Sequence, residues 1–391
     1  MPREKYEFVQ RLGLYRKRIK DADGKYVAIY GKTSTELSEK LKSARRTVES
    51  GQASKENPTL SEYADRWMEL NASGISVATK QDYSYIVNTY IKAPLGSKRL
   101  KEITPDDVKE AMLTAKEKSK SVYGKSVMLY KRIFNSAVEN NIILKSPCSG
   151  LRQGGKEQKE KEALTKEQAV TLLDAVKGTN AYVFVMIGLY AGMRREEILG
   201  LKWDCVFLDK KAPHIAVRRA ARWEHNQPIV EERLKSKAAK RDIPIPGQLV
   251  KCLEEEKKKS TSDYVIANST GGPKTETQFR NLWHAVTCRM VKERTYTEYR
   301  AGGVKEVRTI NPQKGEKAKC RKHYYTIDFD VTPHLLRHTY ITNLLLAGVD
   351  IKTVQYLAGH ERAKITLDIY AHLTYNQPED LIAKVNMAFS G

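Results

Sequence analysis

The sequence predicts a multidomain protein that is mainly α-helical and carries small antiparallel β-sheets. Three parts are expected: a small β-sheet plus helix in residues 1–52, an all-α bundle in 57–150, and a mixed, mainly α domain with a small antiparallel sheet in 160–391. Two observations predict this division. A chain of 391 residues is too long for one compact core. In addition, two polar segments that are poor in apolar residues, 51–58 and 151–163, interrupt the regular patterns as linkers do.

The first part begins with two β-favouring runs within 15–31, separated by Asp23-Gly24. That dipeptide predicts a hairpin because both positions tolerate positive φ. A helix should follow, since Thr33 and Glu36 form a capping-box pattern ahead of one apolar stripe. The basic side chains of the first strand are Arg16, Lys17, Arg18 and Lys20. Such a strand is as typical of a solubilising edge as of a surface that binds an anionic partner.

The second part contains helical patterns throughout. Thr59 and Glu62 form another capping box, ahead of an apolar stripe that ends at Leu70. Thr104 precedes a proline and two acidic residues, which is typical of a helix start. A further helix is expected over about 121–140, and its basic side chains include Lys125, Lys131 and Arg132. These three are candidates for contacts with phosphates, although a solvated helix surface has the same composition.

The third part contains a strongly apolar helix over 182–190. The apolar stretch around it, 181–193, is shorter than the ~20 residues that a membrane span needs. It therefore predicts a buried core helix and no membrane contact. Short strands are expected between 205 and 246, one of them covering 213–222, and a hairpin is expected in 294–310 before the chain returns to helix.

The composition favours a nucleic-acid partner. The chain has 69 Lys and Arg against 47 Asp and Glu, a net charge of +22, and such an excess binds polyanions through counterion release. An anionic membrane surface would attract the same charge. The five cysteines are scattered and odd in number, which predicts a reduced, cytoplasmic protein. Cys320 and His323 are three apart, but no second pair of ligands has zinc-finger spacing, so no metal site is expected.

Two histidines and an arginine occupy positions suited to phosphate. His334 and Arg337 follow Thr332-Pro333, a cap and first-turn proline, so they should share one face at a helix start. Backbone N–H groups at a helix N-terminus, together with an imidazole and a guanidinium, suit a phosphate oxygen. His360 follows a glycine that should end a later helix.

Further short motifs lie upstream and downstream of these residues in the sequence. Tyr370 comes ten residues after His360. Upstream, Arg194 lies at the turn after the apolar helix, with Glu197 three residues on and able to orient its guanidinium. Lys235 is expected at the tip of a β-hairpin. Each of these short motifs is weak evidence for a functional site by itself, but all of them in this order and at this spacing would rarely occur by chance.

This set of short motifs resembles the signature of the tyrosine recombinases, or phage-type integrases, and is closest to integrases of conjugative transposons and temperate phages. The resemblance covers nearly the whole chain. It implies that 1–52 binds DNA arm sites, that 57–150 binds the core site, and that 160–391 is the catalytic domain. It also implies that a C-terminal helix, 378–389, docks on a neighbouring protomer; packing on its own domain is the alternative.

The resemblance also assigns roles. Arg194 and Arg337 would hold the scissile phosphate, with Glu197 as an acidic support. His334 would accept the proton of the nucleophile Tyr370, because a phenol must lose its proton as it attacks. The remaining assignments are His360 as a hydrogen-bond donor to phosphate and Lys235 as the acid that protonates the leaving strand, with Lys237 as its rival. Rival nucleophiles are Tyr340 and Tyr356, which are expected to be packed in helices, and Tyr375.

The implied function is that of an integrase that cuts and rejoins strands through a 3′-phosphotyrosyl intermediate. No metal, nucleotide or other cofactor is required, because the phosphotyrosyl bond conserves the energy of the broken phosphodiester. Expected partners are double-stranded DNA at attachment and arm sites, three further copies in a tetramer, and candidate excision and host DNA-bending proteins. The alternatives are a DNA-binding accessory protein that lacks cleavage and a type IB topoisomerase-like enzyme.

Overall fold

The computed structural model describes residues 6–20, 26–49, 57–71, 73–152, 154–156, 162–209, 211–232, 237–299, 305–318 and 323–375. The chain divides into two compact units, Met1–Glu160 and Lys161–Gly391. The first two predicted parts therefore fall within one unit, and the third part corresponds to the other. Within the described ranges, no helix is both long and apolar enough to cross a membrane.

The first unit begins with a three-stranded antiparallel sheet in the order β1-β2-β3, formed by Glu7–Val9, Leu14–Lys20 and Tyr26–Gly31. The predicted hairpin is confirmed, with Lys17 opposite Ile29, although its turn residues lie outside the described ranges. Strand β1 was not predicted, because three residues are too few to show an alternating pattern. Helix α1, Ser34–Glu49, buries Leu37 on this sheet. The Glu36 carboxylate accepts a hydrogen bond from the backbone N–H of Lys32, which is one residue earlier than the capping box predicted at Thr33 requires.

The rest of the first unit is helical, as predicted. Its helices are α2 (Leu60–Asn71), α3 (Val77–Ile86), which continues as π-turns over Val87–Lys92, α4 (Ala93–Leu95), α5 (Pro105–Ala111), α6 (Leu113–Lys116) and α7 (Lys120–Glu139). The capping boxes at Thr59 and Thr104 are both formed. Tyr130 and Phe134 of α7 are fully buried at the centre of the bundle. Leu70 was expected on the apolar stripe of α2, but it is 72% exposed.

The second unit combines helices with short strands. In chain order these are α8 (Lys166–Val176), α9 (Tyr182–Ala191), α10 (Arg195–Leu199), β4 (Val206–Phe207), β5 (His214–Val217), β6 (Ala220–Glu224), β7 (Gln227–Glu231), β8 (Arg241–Pro244), α11 (Gly247–Lys259), α12 (Glu276–Thr287), β9 (Arg294–Tyr299), β10 (Lys305–Ile310), α13 (Pro333–Leu346), α14 (Ile351–Ala358) and α15 (Ala363–Tyr375). Strands β4, β5 and β8 form one sheet, while β6-β7 and β9-β10 are separate antiparallel pairs.

Two strand predictions were wrong. The run 213–222 is two strands rather than one, because β5 pairs with β8 whereas β6 pairs with β7. The same pairing overturns the hairpin predicted around Lys235, since the strands on either side of it belong to different sheets. Lys235 itself lies outside the described residues. The hairpin predicted in 294–310 is confirmed as β9-β10.

Helix α9 forms the centre of the second unit. It is apolar on every side and buried, as expected of a helix surrounded by protein. Helix α13 crosses it so closely that a Cβ on Gly188 would lie 2.7 Å from the Leu336 side chain. This contact fixes the start of α13 beside the end of α9, the two places where the predicted arginines lie.

Candidate active site

The first arginine is positioned by the end of α9. Gly192 ends that helix with φ +58°, and a Cβ there would lie 2.1 Å from Tyr340 Cδ1, so both space and backbone favour glycine. The chain then turns, and Arg194 caps α10. Its backbone N–H donates to Glu197 Oε2 at 2.9 Å, and its Nη1 donates to Oε1 at 2.8 Å. The predicted support of Arg194 by Glu197 is therefore present as a direct contact.

Glu197 is also bound by Arg241, a residue that sequence reasoning did not single out. Arg241 Nη2 lies 2.8 Å from Glu197 Oε2, and both side chains are almost completely buried. Burial alone would raise the pKa of the Glu197 carboxyl. The hydrogen bond and charge of Arg241, together with the charge of Arg194, instead lower that pKa to about 2, so the group is a carboxylate at neutral pH.

The second predicted arginine, Arg337, is buried in α13. Thr332 caps the helix and Pro333 opens it, as predicted. Arg337 Nη1 donates to the Gly192 carbonyl at 2.8 Å, and Nη2 donates to the carbonyl of Ala358. Burial, followed by the charge of Arg194, lowers the pKa of Arg337 to about 9. The guanidinium remains protonated at neutral pH, but it lies where a nearby anion would be strongly stabilised.

All three arginines meet at the C-terminal end of α14. Three consecutive carbonyls accept from them: Leu357 from Arg241 at 2.7 Å, Ala358 from Arg337, and Gly359 from Arg194 at 2.7 Å. A helix C-terminus carries partial negative charge and unpaired carbonyls, so cations are stabilised there. The end of α14 thus holds the two predicted phosphate ligands side by side.

His360 follows directly on this cluster. Gly359 has φ +61°, which turns the chain, and the imidazole of His360 is buried. Its Nδ1 lies 2.9 Å from Thr366 Oγ1 of α15. Burial, with the charges of Arg337, Arg194 and Arg241, lowers the pKa of His360 to about 4. The imidazole is therefore neutral at physiological pH and suited to a hydrogen bond rather than to charge.

The other two predicted site residues on described helices are exposed. His334 lies at the surface in the first turn of α13, although Arg337 three residues on is buried. Tyr370 lies on α15 and is 38% exposed. Both properties are compatible with groups that must meet DNA.

The rival tyrosines differ from one another. Tyr340 is buried, and burial raises the pKa of its phenol to about 12, as expected of a packed side chain. The same expectation was wrong for Tyr356, which is 51% exposed and whose hydroxyl accepts the Asp242 N–H at 3.1 Å. The side chain of Tyr375 lies outside the described part of the chain.

The basic residues predicted to bind DNA belong to the first unit. Arg16 is paired with Glu7 at 2.7 Å, and Lys125 with Asp82 at 2.6 Å. Lys20 lies 5.4 Å from the centre of the Tyr26 ring. The remaining four are Lys17 and Lys131, which are half-buried, and Arg18 and Arg132, which are exposed. Among the described residues, no group of three or more His, Cys, Asp or Glu could hold a metal ion.

Two of the predicted regions lie outside the part of the chain that the structure describes. These are Lys235 and the helix predicted over 378–389. The rival Lys237 begins a short 3₁₀ turn, Lys237–Ala239, and nothing further is described for its side chain. The roles of these groups therefore stay predictions.

More than half of the chain matches a known protein family. Residues 162–298 and 308–377 match the phage integrase family, and residues 59–112 match the N-terminal SAM-like domain of phage integrases. A relative described as tyrosine recombinase XerC-like, from Caldanaerobacter subterraneus subsp. tengcongensis, is 25% identical and aligns with 95% of this chain and 94% of its own.

Two solved structures resemble the fold. The integrase of transposon Tn1549, in complex with a circular intermediate DNA, has a TM-score of 0.63 and 19% identity, covering 84% of this chain and 99% of that one. A lambda integrase tetramer bound to a Holliday junction has a TM-score of 0.54 and 15% identity, covering 94% of this chain and 96% of that one. At these identities the likeness concerns the fold: a multidomain architecture with a mixed, mainly α C-terminal domain.

Proposed function

The chain belongs to the phage integrase family and is a tyrosine-type site-specific DNA recombinase, and we propose that Tyr370 is its nucleophile in cleaving and rejoining DNA at the ends of a mobile element. One observation carries the proposal. Arg194, Arg337 and His360 converge at the end of α14, immediately before the helix that bears Tyr370.

The two arginines bind the scissile phosphate. A guanidinium has five N–H donors, and each of these arginines uses donors on backbone carbonyls or Glu197, which fixes its plane. Arg194 keeps 36% of its side chain exposed, so it is open to an incoming phosphate. Fixed cations stabilise the charge that builds on the non-bridging oxygens in the transition state, because they need no reorganisation during the reaction.

The covalent step conserves atoms and charge. The phenolic oxygen of Tyr370 attacks phosphorus, the bond from phosphorus to the 5′ oxygen breaks, and a 3′-phosphotyrosyl bond forms. His334 accepts the phenolic proton, and Lys235 donates a proton to the departing 5′ oxygen. Attack by the 5′ hydroxyl of another strand reverses the step and joins the strands. No external energy source is needed, because one phosphoester replaces another.

The proposed function also requires several copies of the chain on DNA. Strand exchange needs two duplexes and four cleavages, so we expect a tetramer of this chain on DNA, with residues 378–389 docking on the next protomer. The tetrameric lambda integrase supports this by likeness of fold. The seven basic residues of the first unit bind phosphates at arm and core sites, and Arg16 and Lys125 exchange their carboxylate partners for DNA. An excision factor and a host DNA-bending protein are further candidate partners in the bacterial cytoplasm.

The test is covalent trapping on a nicked suicide substrate that carries the attachment site. The wild-type chain should form an adduct that resists denaturation, Tyr370→Phe should form none, and Tyr356→Phe should behave like wild type. Absence of an adduct despite DNA binding would indicate the accessory protein instead. An adduct that survives Tyr370→Phe would assign the nucleophile elsewhere, and relaxation of supercoiled DNA without an attachment site would favour the topoisomerase.

A further inference from the structure

The contact between His360 and Thr366 joins two parts of the site. His360 stands at the end of the arginine cluster, and Thr366 lies on α15 four residues before Tyr370, on the same side of that helix. Both side chains are buried, and Thr366 is completely so. The hydrogen bond between them, 2.9 Å long, is therefore shielded from water.

The threonine hydroxyl determines the direction of this hydrogen bond. A hydroxyl has one hydrogen, and in a buried position leaving it without an acceptor is costly. A helical threonine commonly donates to the carbonyl four residues earlier, as Thr339 does to Leu335 at 2.8 Å. Within the described ranges Thr366 forms no such bond, and His360 Nδ1 is the acceptor that its hydroxyl contacts.

This direction determines which ring nitrogen of His360 carries the hydrogen. If Nδ1 accepts the hydroxyl hydrogen, the neutral imidazole must carry its own hydrogen on Nε2. The opposite tautomer would place two hydrogens between Nδ1 and Oγ1 unless the hydroxyl turned away, where it has no described acceptor. His360 then presents an N–H on the side of its ring away from Thr366.

We propose that Thr366 is a positioning residue that holds His360 as the Nε2–H tautomer, ready to donate to a non-bridging oxygen of the scissile phosphate. The proposal rests on the proposed function for the identity of that acceptor. It also connects the helix of the nucleophile to the phosphate-binding cluster through one hydrogen bond. Other contacts of His360 use its backbone: its N–H donates to the Gln355 carbonyl, and its carbonyl accepts from Gln355 Nε2. They do not select a tautomer.

The tautomer can be measured without any activity assay. In the full-length chain with ¹⁵N-labelled histidine, long-range ¹H–¹⁵N correlation at neutral pH should show His360 with a protonated Nε2 and an unprotonated Nδ1. His360→Ala identifies the signals. A spectrum in which Nδ1 carries the hydrogen overturns the proposal.

The kinetic test uses isosteric variants. Thr366→Val removes the hydroxyl at constant shape and should slow single-turnover cleavage of the suicide substrate roughly five- to tenfold, the range expected from one buried hydrogen bond. DNA affinity should not change, and Thr366→Ser should restore the rate. Thr342→Val is the matched control, because Thr342 is also buried in a helix and its hydroxyl has no partner among the residues that the structure describes.

A double variant separates the proposed route from a structural effect. If Thr366 acts through His360, adding Thr366→Val to His360→Ala should cause no further loss in rate. A further loss equal to that in wild type overturns the proposal. Failure of the proposed function would look different, since wild-type protein would then form no covalent adduct at all.

Discussion

Two sets of cations in this protein, one in each unit, are held in different ways. In the second unit, Arg241 and Arg337 are fully buried, and backbone carbonyls and one buried carboxylate fix their guanidinium planes. In the first unit, Arg16 and Lys125 pair with Glu7 and Asp82 at the surface. A buried network cannot rearrange cheaply, whereas an exposed ion pair contributes about 0–1 kcal/mol and exchanges readily.

This difference matches the two tasks that the proposed function assigns to the two sets of cations. Tracking a duplex needs many weak phosphate contacts that do not depend on sequence. Cleavage needs one phosphate held in a fixed orientation, because transition-state stabilisation depends on donors that are already in place.

Arg241→Ala should have the largest effect on stability. It leaves Glu197 buried with Arg194 alone as partner, and breaking a buried ion pair costs about 3–5 kcal/mol. The free energy of unfolding, measured in urea, should fall by that amount. Arg280→Ala, which breaks the exposed pair of Arg280 with Glu276, is the control and should cost about 0.5 kcal/mol or less. Equal losses in the two variants would contradict the contrast.

The pH dependence of stability should report the same network. The folded pKa of Glu197 is lowered to about 2, below its value in the unfolded chain. The stabilisation is therefore complete above the unfolded pKa, and it is lost as pH falls through the folded one, between about pH 4.5 and 2. Wild type should lose on the order of 3 kcal/mol more than Glu197→Gln across that window. Parallel unfolding curves for the two proteins would count against the network.

Gly359→Ala should have a moderate effect that is mainly catalytic. The left-handed backbone at φ +61° costs alanine about 1–2 kcal/mol, and the new Cβ would lie 2.9 Å from Arg241 Nη1. Gly348→Ala is the matched control, since Gly348 has φ +80° but open space around its Cβ position. Both variants should lose stability through the backbone, with the larger loss in Gly359→Ala because Arg241 must shift, and Gly359→Ala alone should slow covalent adduct formation. Equal cleavage rates would show that the arginine cluster tolerates displacement.

The sequence predicted local structure better than tertiary pairing, for a physical reason. Helix starts at Thr59 and Thr104 are each set by a cap and a residue three positions later, and both caps form. The strands of the second unit depend on distant partners, so the run 213–222 could not be divided correctly. The order of motifs located Arg194, Arg337 and His360, but it carried no information on what holds them.

Arg241 shows where a signal was available but unused. Arg241, Ile243 and Ile245 are spaced two residues apart, and all three are buried. A period of two residues therefore placed this arginine on the inward face of β8, where a charge needs a partner. Thr366 gave no comparable signal, because a threonine on a helix next to a tyrosine is common and its contact with His360 depends on how α15 turns back.

The smallest effects are expected at the surface of the first unit. Arg16→Ala and Lys125→Ala should each change the free energy of unfolding very little, because both ion pairs are exposed. If these side chains exchange carboxylates for phosphates, each substitution should weaken DNA binding uniformly across sequences. It should also reduce the slope of log K against log salt by about one.

The controls are Glu7→Gln and Asp82→Asn, which release the cation and should raise DNA affinity instead. If neither substitution changes the salt slope, Arg16 and Lys125 do not contact DNA phosphates and contribute only to solubility. The two units would then differ in how deeply their cations are buried, and the cations of the first unit would have no role in DNA binding.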